Sequence, residues 1–322
     1  MASRNETMND LDTVFDDELP PDHRSGVVAV VGRPNVGKST LINRILGQKI
    51  AIVSPKPQTT RRQQLGIYTE KKAQILFMDT PGLHTPHHKL GEYMVGVAEE
   101  ALKDGDVILW VLDISVEPTK EDRQIAELIN KSRGNTPVVL ALNKTDLVDP
   151  KKREAQLDLY GELVDHEATI LVSATQGDGV PELVNYLQES MPLGPRYYPV
   201  DQVSEVNMRF IAAEVIREKI ILNTEKEVPY SVAVEVEEYK ERSDTMTYVS
   251  ATIYIERDSQ KGILIGKNGD MIKRIGSEAR AELAEMLGTQ VYIELRVKVL
   301  KNWRMDEDLM RRLGYRLPKK ED

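Results

Sequence analysis

Eight consecutive residues, Gly32-Arg33-Pro34-Asn35-Val36-Gly37-Lys38-Ser39, constrain this chain more than any others. They fit the pattern Gly-x-x-x-x-Gly-Lys-Ser/Thr. An apolar run, Val27 to Val31, leads in, and an amphipathic segment from Thr40 to Leu46 leads out, so the sequence predicts strand, loop and helix in that order. Glycines let the backbone wrap closely around a phosphate, with several N–H groups pointing inward. The N-terminus of the following helix adds partial positive charge. Lys38 can then reach β- and γ-phosphates, and the Ser39 hydroxyl can ligate Mg²⁺.

The flanking sequence falls into two regimes. From Gly26 to about Ser190, apolar runs (Ala73–Met78, Val107–Leu112, Pro137–Leu142, Thr169–Val172) alternate with amphipathic stretches such as Glu121–Lys131 and Val180–Leu187. Continuous apolar strands alternating with helices predict a doubly wound α/β domain with a mostly parallel sheet. Ligands bind such sheets at the carboxyl ends of the strands. Met191 to Pro199 holds three prolines and a glycine, which predicts an extended linker able to allow more than one docking position. Beyond it the order becomes helix (Phe210–Leu222), strand (Tyr230–Glu238), strand (Thr247–Ile255), a Gly-x-x-Gly loop, helix (Asp270–Leu287) and strand (Gln290–Val299), a small α+β domain. The boundaries expected are an acidic disordered tail at 1–24, the α/β domain at 25–190, a linker at 191–206, the α+β domain at 207–305 and a basic extension at 306–322. In that extension Leu309, Leu313 and Leu317 share a face able to cover a groove of the second domain or a loop of the first. The chain has no cysteine, which excludes disulfides, cysteine–zinc sites and iron–sulfur clusters and fits a reducing cytoplasm. No apolar run is long enough to span a bilayer, and the N-terminus lacks a signal pattern. A net charge of -9 argues against generic nucleic-acid binding, so any such contact must be a local patch.

Further motifs close the predicted strands. Asp79-Thr80-Pro81-Gly82 places a carboxylate that can bind Mg²⁺ through water and a Gly82 N–H able to sense a γ-phosphate. Asn143-Lys144-Thr145-Asp146 reads the base. Asp146 can accept from N1–H and the 2-amino group of guanine, which adenine does not offer. Asn143 can bond the guanine edge, and the Lys144 stem can cover the base. In Ser173-Ala174-Thr175 the Ala174 N–H can bind guanine O6. Thr59 and Thr60 lie in a loop that can complete the Mg²⁺ shell, and Thr60 is favoured over Thr59. The metal set is therefore Ser39, Thr60 and Asp79; Thr40 and Thr80 join the nucleotide set, and Lys38, Thr60 and Gly82 are the catalytic candidates. Ile265-Gly266-Lys267-Asn268-Gly269, with Lys273 and Arg274, lets a nucleic-acid backbone approach a basic helix start. His84-Thr85-Pro86-His87-His88 reads as a solvated mobile loop rather than a metal cluster.

With Gln58-Thr59-Thr60-Arg61-Arg62 and Val299-Leu300-Lys301-Asn302-Trp303-Arg304 added to these motifs, the chain resembles the Era family of bacterial GTPases from about Gly26 to Tyr315. That family joins a Ras-like domain to a C-terminal type II KH domain. The resemblance implies GTP hydrolysis with Mg²⁺, binding near the 3′ end of small-subunit ribosomal RNA and a role in 30S assembly. It also implies a cytoplasmic protein partly associated with the inner face of the membrane, and no DNA partner. Leu83 stands where Ras-like proteins carry a water-orienting glutamine. The resemblance is therefore to the subgroup with a hydrophobic residue there, in which the asparagine matching Asn35 helps hold K⁺. Two other readings compete. A tRNA-modification GTPase shares the nucleotide motifs but should lack the Gly-x-x-Gly loop. A non-hydrolysing RNA-binding module is disfavoured by intact Lys38, Ser39, Asp79 and Asp146.

Overall fold

The computed structural model describes residues 19–83, 86, 88–205 and 207–317. The first eighteen residues of the expected acidic tail, His84, Thr85 and His87 of the histidine loop, and the last five residues of the basic extension lie outside the described residues.

The first domain runs β1 (Arg24–Val31), α1 (Lys38–Leu46), β2 (Gln64–Thr69), β3 (Ala73–Asp79), α2 (Lys89–Asp104), β4 (Val107–Asp113), α3 (Lys120–Ser132), β5 (Val138–Asn143), α4 (Arg153–Gly161), β6 (Ala168–Leu171) and α5 (Val180–Ser190). Its sheet order is β2-β3-β1-β4-β5-β6, parallel throughout except for β2, which is antiparallel to β3. β3, β4 and β5 are buried along their whole length, as strands covered on both faces must be. Cap chemistry sets the helix ends. α1 begins after Gly37 (φ 102°) and stops at Gly47 (φ 69°), both left-handed. Thr119 and Asp122 form a reciprocal capping box on α3. The His88 ring accepts from the Gly91 N–H at the start of α2.

Two features of this domain are not marked in the sequence. β2 is a short edge strand in what reads as loop; only Ile67 is a buried large apolar residue in it. The linker does not swing free but is strapped along the sheet. Ser25 N–H bonds Pro192 O at 3.0 Å, and Ile67 N–H bonds Val203 O at 2.9 Å, which closes the open edge of β2. The buried Gln74 amide accepts from the Tyr197 and Tyr198 N–H groups and donates to Tyr198 O.

The second domain runs α6 (Met208–Asn223), α7 (Val228–Ser231), β7 (Ala233–Ser243), β8 (Met246–Ile255), α8 (Asp258–Ile265), α9 (Asp270–Leu287), β9 (Gln290–Val299) and α10 (Glu307–Arg312). β8 pairs antiparallel with β7 and parallel with β9. α6 and α9 pack on one face around Val215, Ile216, Val249, Ala251, Ile275 and Leu283. The strand expected from Tyr230 instead starts at Ala233, because Pro229 opens the helical turn α7 ahead of it.

The two domains share a core. Leu90, Tyr93, Met94 and Val97 of α2 pack with Ala233, Tyr254, Trp303, Met310, Leu313 and Tyr315. Trp303 is wholly buried, and its indole N–H donates to Ser231 O at 2.8 Å. Truncating a buried ring of this size costs about 3–5 kcal/mol, so this joint is more than a surface contact. The C-terminal segment thus covers α2 of the first domain and leaves the groove of the second domain open. Among the described residues, no helix is long and apolar enough to cross a membrane.

Candidate functional site

The phosphate loop links β1 to α1 at the carboxyl edge of the sheet. Its glycines are required sterically as well as conformationally. A Cβ on Gly32 would lie 2.4 Å from Val111 O, and one on Gly37 would lie 2.3 Å from Asn143 Nδ2. Lys38 is buried, its ammonium donating to Gly32 O (3.0 Å) and Arg33 O (3.1 Å). Burial pushes its pKa down to about 8, with Asp79 opposing the shift. Asp79 is also buried, and burial raises its carboxyl to about 6 against the pull of Lys38.

Ser39 Oγ donates to Asp79 Oδ2 at 2.7 Å and lies 2.9 Å from Thr60 Oγ1. Asp79 Oδ1 is buried with no hydrogen-bond partner. Three hard oxygen donors from three segments converge, with one carboxylate oxygen left over, which is the donor chemistry Mg²⁺ selects. Thr59 turns away, bonded to Ser54 Oγ (2.8 Å) and Lys56 O (2.7 Å), so Thr60 is the threonine at the site. Pro34, Asn35, Thr40 and Gly82 line the same cleft. A Cβ on Gly82 would meet Pro34 N at 2.7 Å, so this glycine permits the closest approach of the two loops. Leu83 is 3% exposed, in the core, and cannot orient a water.

Several expected nucleotide contacts serve as braces. Thr80 Oγ1 donates to Val30 O, and the Val36 side chain lies in the core. Arg33 reaches Asp122 (3.3 Å) and Asp113 (3.6 Å), and the Lys144 ammonium holds Asp113 at 2.6 Å. Asn143 and Ala174, read as base contacts, bond each other. Asn143 Oδ1 accepts from the Ala174 N–H at 2.9 Å, while Nδ2 donates to Val36 O at 2.7 Å. Asn143 therefore ties the base side of the site to the phosphate loop, leaving one N–H of its amide for a ligand. Asp146 is exposed, and Ser173 Oγ orients its carboxylate at 2.6 Å. The Ala174 and Thr175 carbonyls are held by Arg44 from α1, a contact the sequence does not reveal.

In the second domain the turn Lys267–Gly269 joins α8 to α9, with positive φ at Gly266 (73°), Asn268 (55°) and Gly269 (81°). Ile265 ends α8, and Lys267, Asn268, Lys273 and Arg274 are exposed; Arg274 also pairs with Glu278. A groove opens beside this turn between α9 and β9, lined by Ile272, Lys273, Gly276, Arg280, Tyr292 and Leu295. Most of that lining goes unmarked in the sequence, although Lys273, Gly276 and Arg280 recur at helical spacing, with a glycine in mid-helix as the visible clue.

A family model described as 50S ribosome-binding GTPase matches residues 27–144, and one described as KH domain matches residues 227–304. The GTPase Era of Ruminiclostridium cellulolyticum is 46% identical over 92% of this chain and 99% of its own length. That of Thermotoga maritima is 49% identical over 87% of this chain and 93% of its own. This chain belongs to the Era family. It is a GTPase whose P-loop domain precedes a KH domain. Era in complex with MgGDPNP and nucleotides 1506–1542 of 16S ribosomal RNA superposes with a TM-score of 0.85 at 37% identity, covering 92% of this chain and 100% of that one. A variant of Aquifex aeolicus Era bound to GDP·AlF4⁻ gives a TM-score of 0.86 at 38% identity, with coverage of 91% and 100%.

The brace at Asn143 yields a measurable expectation for this Era-family chain. Asn143→Ala strands the buried Ala174 N–H and removes the bond to Val36 O. Thermal unfolding without nucleotide should show a loss of about 2–4 kcal/mol, the combined cost of two such bonds. A change below about 0.5 kcal/mol would mean that the amide serves only the base.

Proposed function

We propose that this Era-family GTPase binds the 3′ region of small-subunit ribosomal RNA in the α9–β9 groove and acts in 30S assembly, using GTP as its switch. The carrying observation is the joining, on one chain, of a convergent Ser39–Thr60–Asp79 site to an open Gly-x-x-Gly groove. The relative solved with both a GTP analogue and 16S ribosomal RNA supports the reading.

Ser39, Thr60 and Asp79 hold Mg²⁺, which neutralises charge on the β- and γ-phosphates. Lys38 adds its ammonium to that charge, and the N-terminus of α1 supports it. Asp146 and the spare Asn143 N–H select guanine. With Leu83 in the core, no side chain at that position orients water, so basal hydrolysis is slow, on the order of 10⁻⁴ to 10⁻² per second. Asn35 lines the phosphate cleft, where its amide oxygen can help hold K⁺ and stabilise the transition state. Hydrolysis should therefore run several-fold faster in KCl than in NaCl of equal ionic strength; equal rates would remove K⁺ from the mechanism.

The burial of Lys38 also predicts a proton linkage. Burial holds Lys38 near 8, below its ordinary 10.5, so some of it is neutral above pH 8. Phosphates favour the ammonium and raise its pKa, so binding must take up a proton in the window that opens at about pH 8. Affinity falls as pH rises through that window. Calorimetry of GDP binding at pH 8.5, in two buffers of different ionisation enthalpy, should register this uptake; buffer-independent heats would contradict it.

RNA binding rests on the Gly-x-x-Gly turn. Replacing Lys267 and Asn268 with aspartate puts two carboxylates where a phosphate must approach. Affinity for a 16S 3′-end RNA at fixed salt should drop by roughly a hundredfold or more, since phosphate contacts dominate it. GTP hydrolysis without RNA should stay within about twofold, the two sites being in different domains. Unchanged RNA affinity would move the RNA site elsewhere.

A further inference from the structure

The residues flanking Thr60 are held by the second domain. Arg217 of α6 is 1% exposed and donates through Nη2 to Thr59 O, while Nε donates to Glu214 at 2.8 Å. On the other side of Thr60, Arg61 is also 1% exposed. Its guanidinium donates to Val232 O (2.5 Å), Pro229 O (3.1 Å) and Tyr230 O (3.0 Å), all in the second domain. Earlier in the loop, Glu218 of α6 accepts from the Val53 N–H at 2.8 Å, and Lys56 donates to Ile221 O and Thr224 O at the end of α6. One helix of the second domain therefore meets the loop at Val53, Lys56 and Thr59, and the next residue is the one whose hydroxyl faces Ser39.

A buried guanidinium must find acceptors, because leaving it unpaired is costly. Glu214 of the same helix grips Arg217 through both Nε and Nη2, which aims the same Nη2 at Thr59 O. If that bond is lost, Thr59 O is freed and the peptide plane leading into Thr60 can rotate. We propose that Arg217 is a positioning residue for GTP binding: through Thr59 O it fixes Thr60 where the Mg²⁺–γ-phosphate unit needs its hydroxyl. The proposal rests on Thr60 being a metal ligand of the GTP-bound site. GDP lacks the γ-phosphate and places no such demand on the loop. Arg217 should therefore matter for the triphosphate and not for the diphosphate.

The test is a double-mutant cycle on the full-length protein, read as equilibrium affinity for fluorescent GDP and for a non-hydrolysable GTP analogue with Mg²⁺. Thr60→Ala should weaken the analogue by about tenfold or more and leave GDP within about twofold. Arg217→Met should show the same selectivity, and Arg217→Lys, which keeps the charge and one donor arm, a smaller loss of the same kind. In the Thr60→Ala background, Arg217→Met should add less than about twofold. If Thr60→Ala leaves the analogue unaffected, the metal reading of Thr60 falls, and the proposal with it. If Thr60→Ala behaves as stated but Arg217→Met multiplies the loss in full, or weakens GDP and analogue alike, Arg217 only glues the domains and the positioning role is overturned.

Discussion

Two buried guanidinium groups, Arg61 and Arg217, set the relation between the halves of this molecule. They come from opposite domains, and each reaches across the joint to backbone carbonyls of the other. Burial, and then the charge of Arg217, lower Arg61 to about 10, so it remains charged at neutral pH and keeps its demand for acceptors. Its two terminal nitrogens find their acceptors only while the domains stay docked. The apolar joint around Trp303 supplies the docking, and Arg62 extends it by lying over the Tyr315 ring at 4.6 Å. The loop bearing Thr60 consequently has its conformation written partly in a domain more than 150 residues away in sequence.

The phosphate site shows the opposite economy. Lys38 and Asp79 are buried with shifts that both disfavour charge, and one oxygen of Asp79 has no partner. Such a site is preorganised for charges that arrive with the ligand. Its rigidity comes from braces around it: Asn143 spans from Val36 O to the Ala174 N–H, Arg44 holds the carbonyls of the same loop, and Ser173 fixes Asp146. The nucleotide site is thus stiff on the base side and dependent on the second domain on the metal side.

What was legible in the sequence follows from the range of the forces involved. The phosphate loop, the ends of β3 and β5 and the Gly-x-x-Gly turn are local backbone geometries, so their glycines and charged residues can be read in a short window. α9 and β9 match the expected Asp270–Leu287 and Gln290–Val299 because their periodicity is strong and their ends carry caps or turns. β2 was invisible because an edge strand buries little; its ladder is completed by Val203 and Ser204, far along the chain. Tyr230 and Ser231 looked like strand by alternation, whereas Pro229 and the carbonyls that serve Arg61 favour a helical turn. The burial of Arg61 and Arg217 has no local mark, because nothing nearby in sequence names their acceptors. The bracing role of Asn143 is hidden for a related reason: its partners, Val36 O and Ala174 N–H, are backbone atoms of two other loops.

The second domain holds the Thr60 loop before any nucleotide arrives. Hydrogen exchange at the Val53 amide, followed in the nucleotide-free full-length protein, tests it most directly, because that N–H donates to Glu218 across the joint. The Val53 amide should be protected well beyond an exposed loop, with the protection lost in Glu218→Ala. Exchange at the unprotected rate in the nucleotide-free protein, with protection appearing only when a GTP analogue binds, would contradict it.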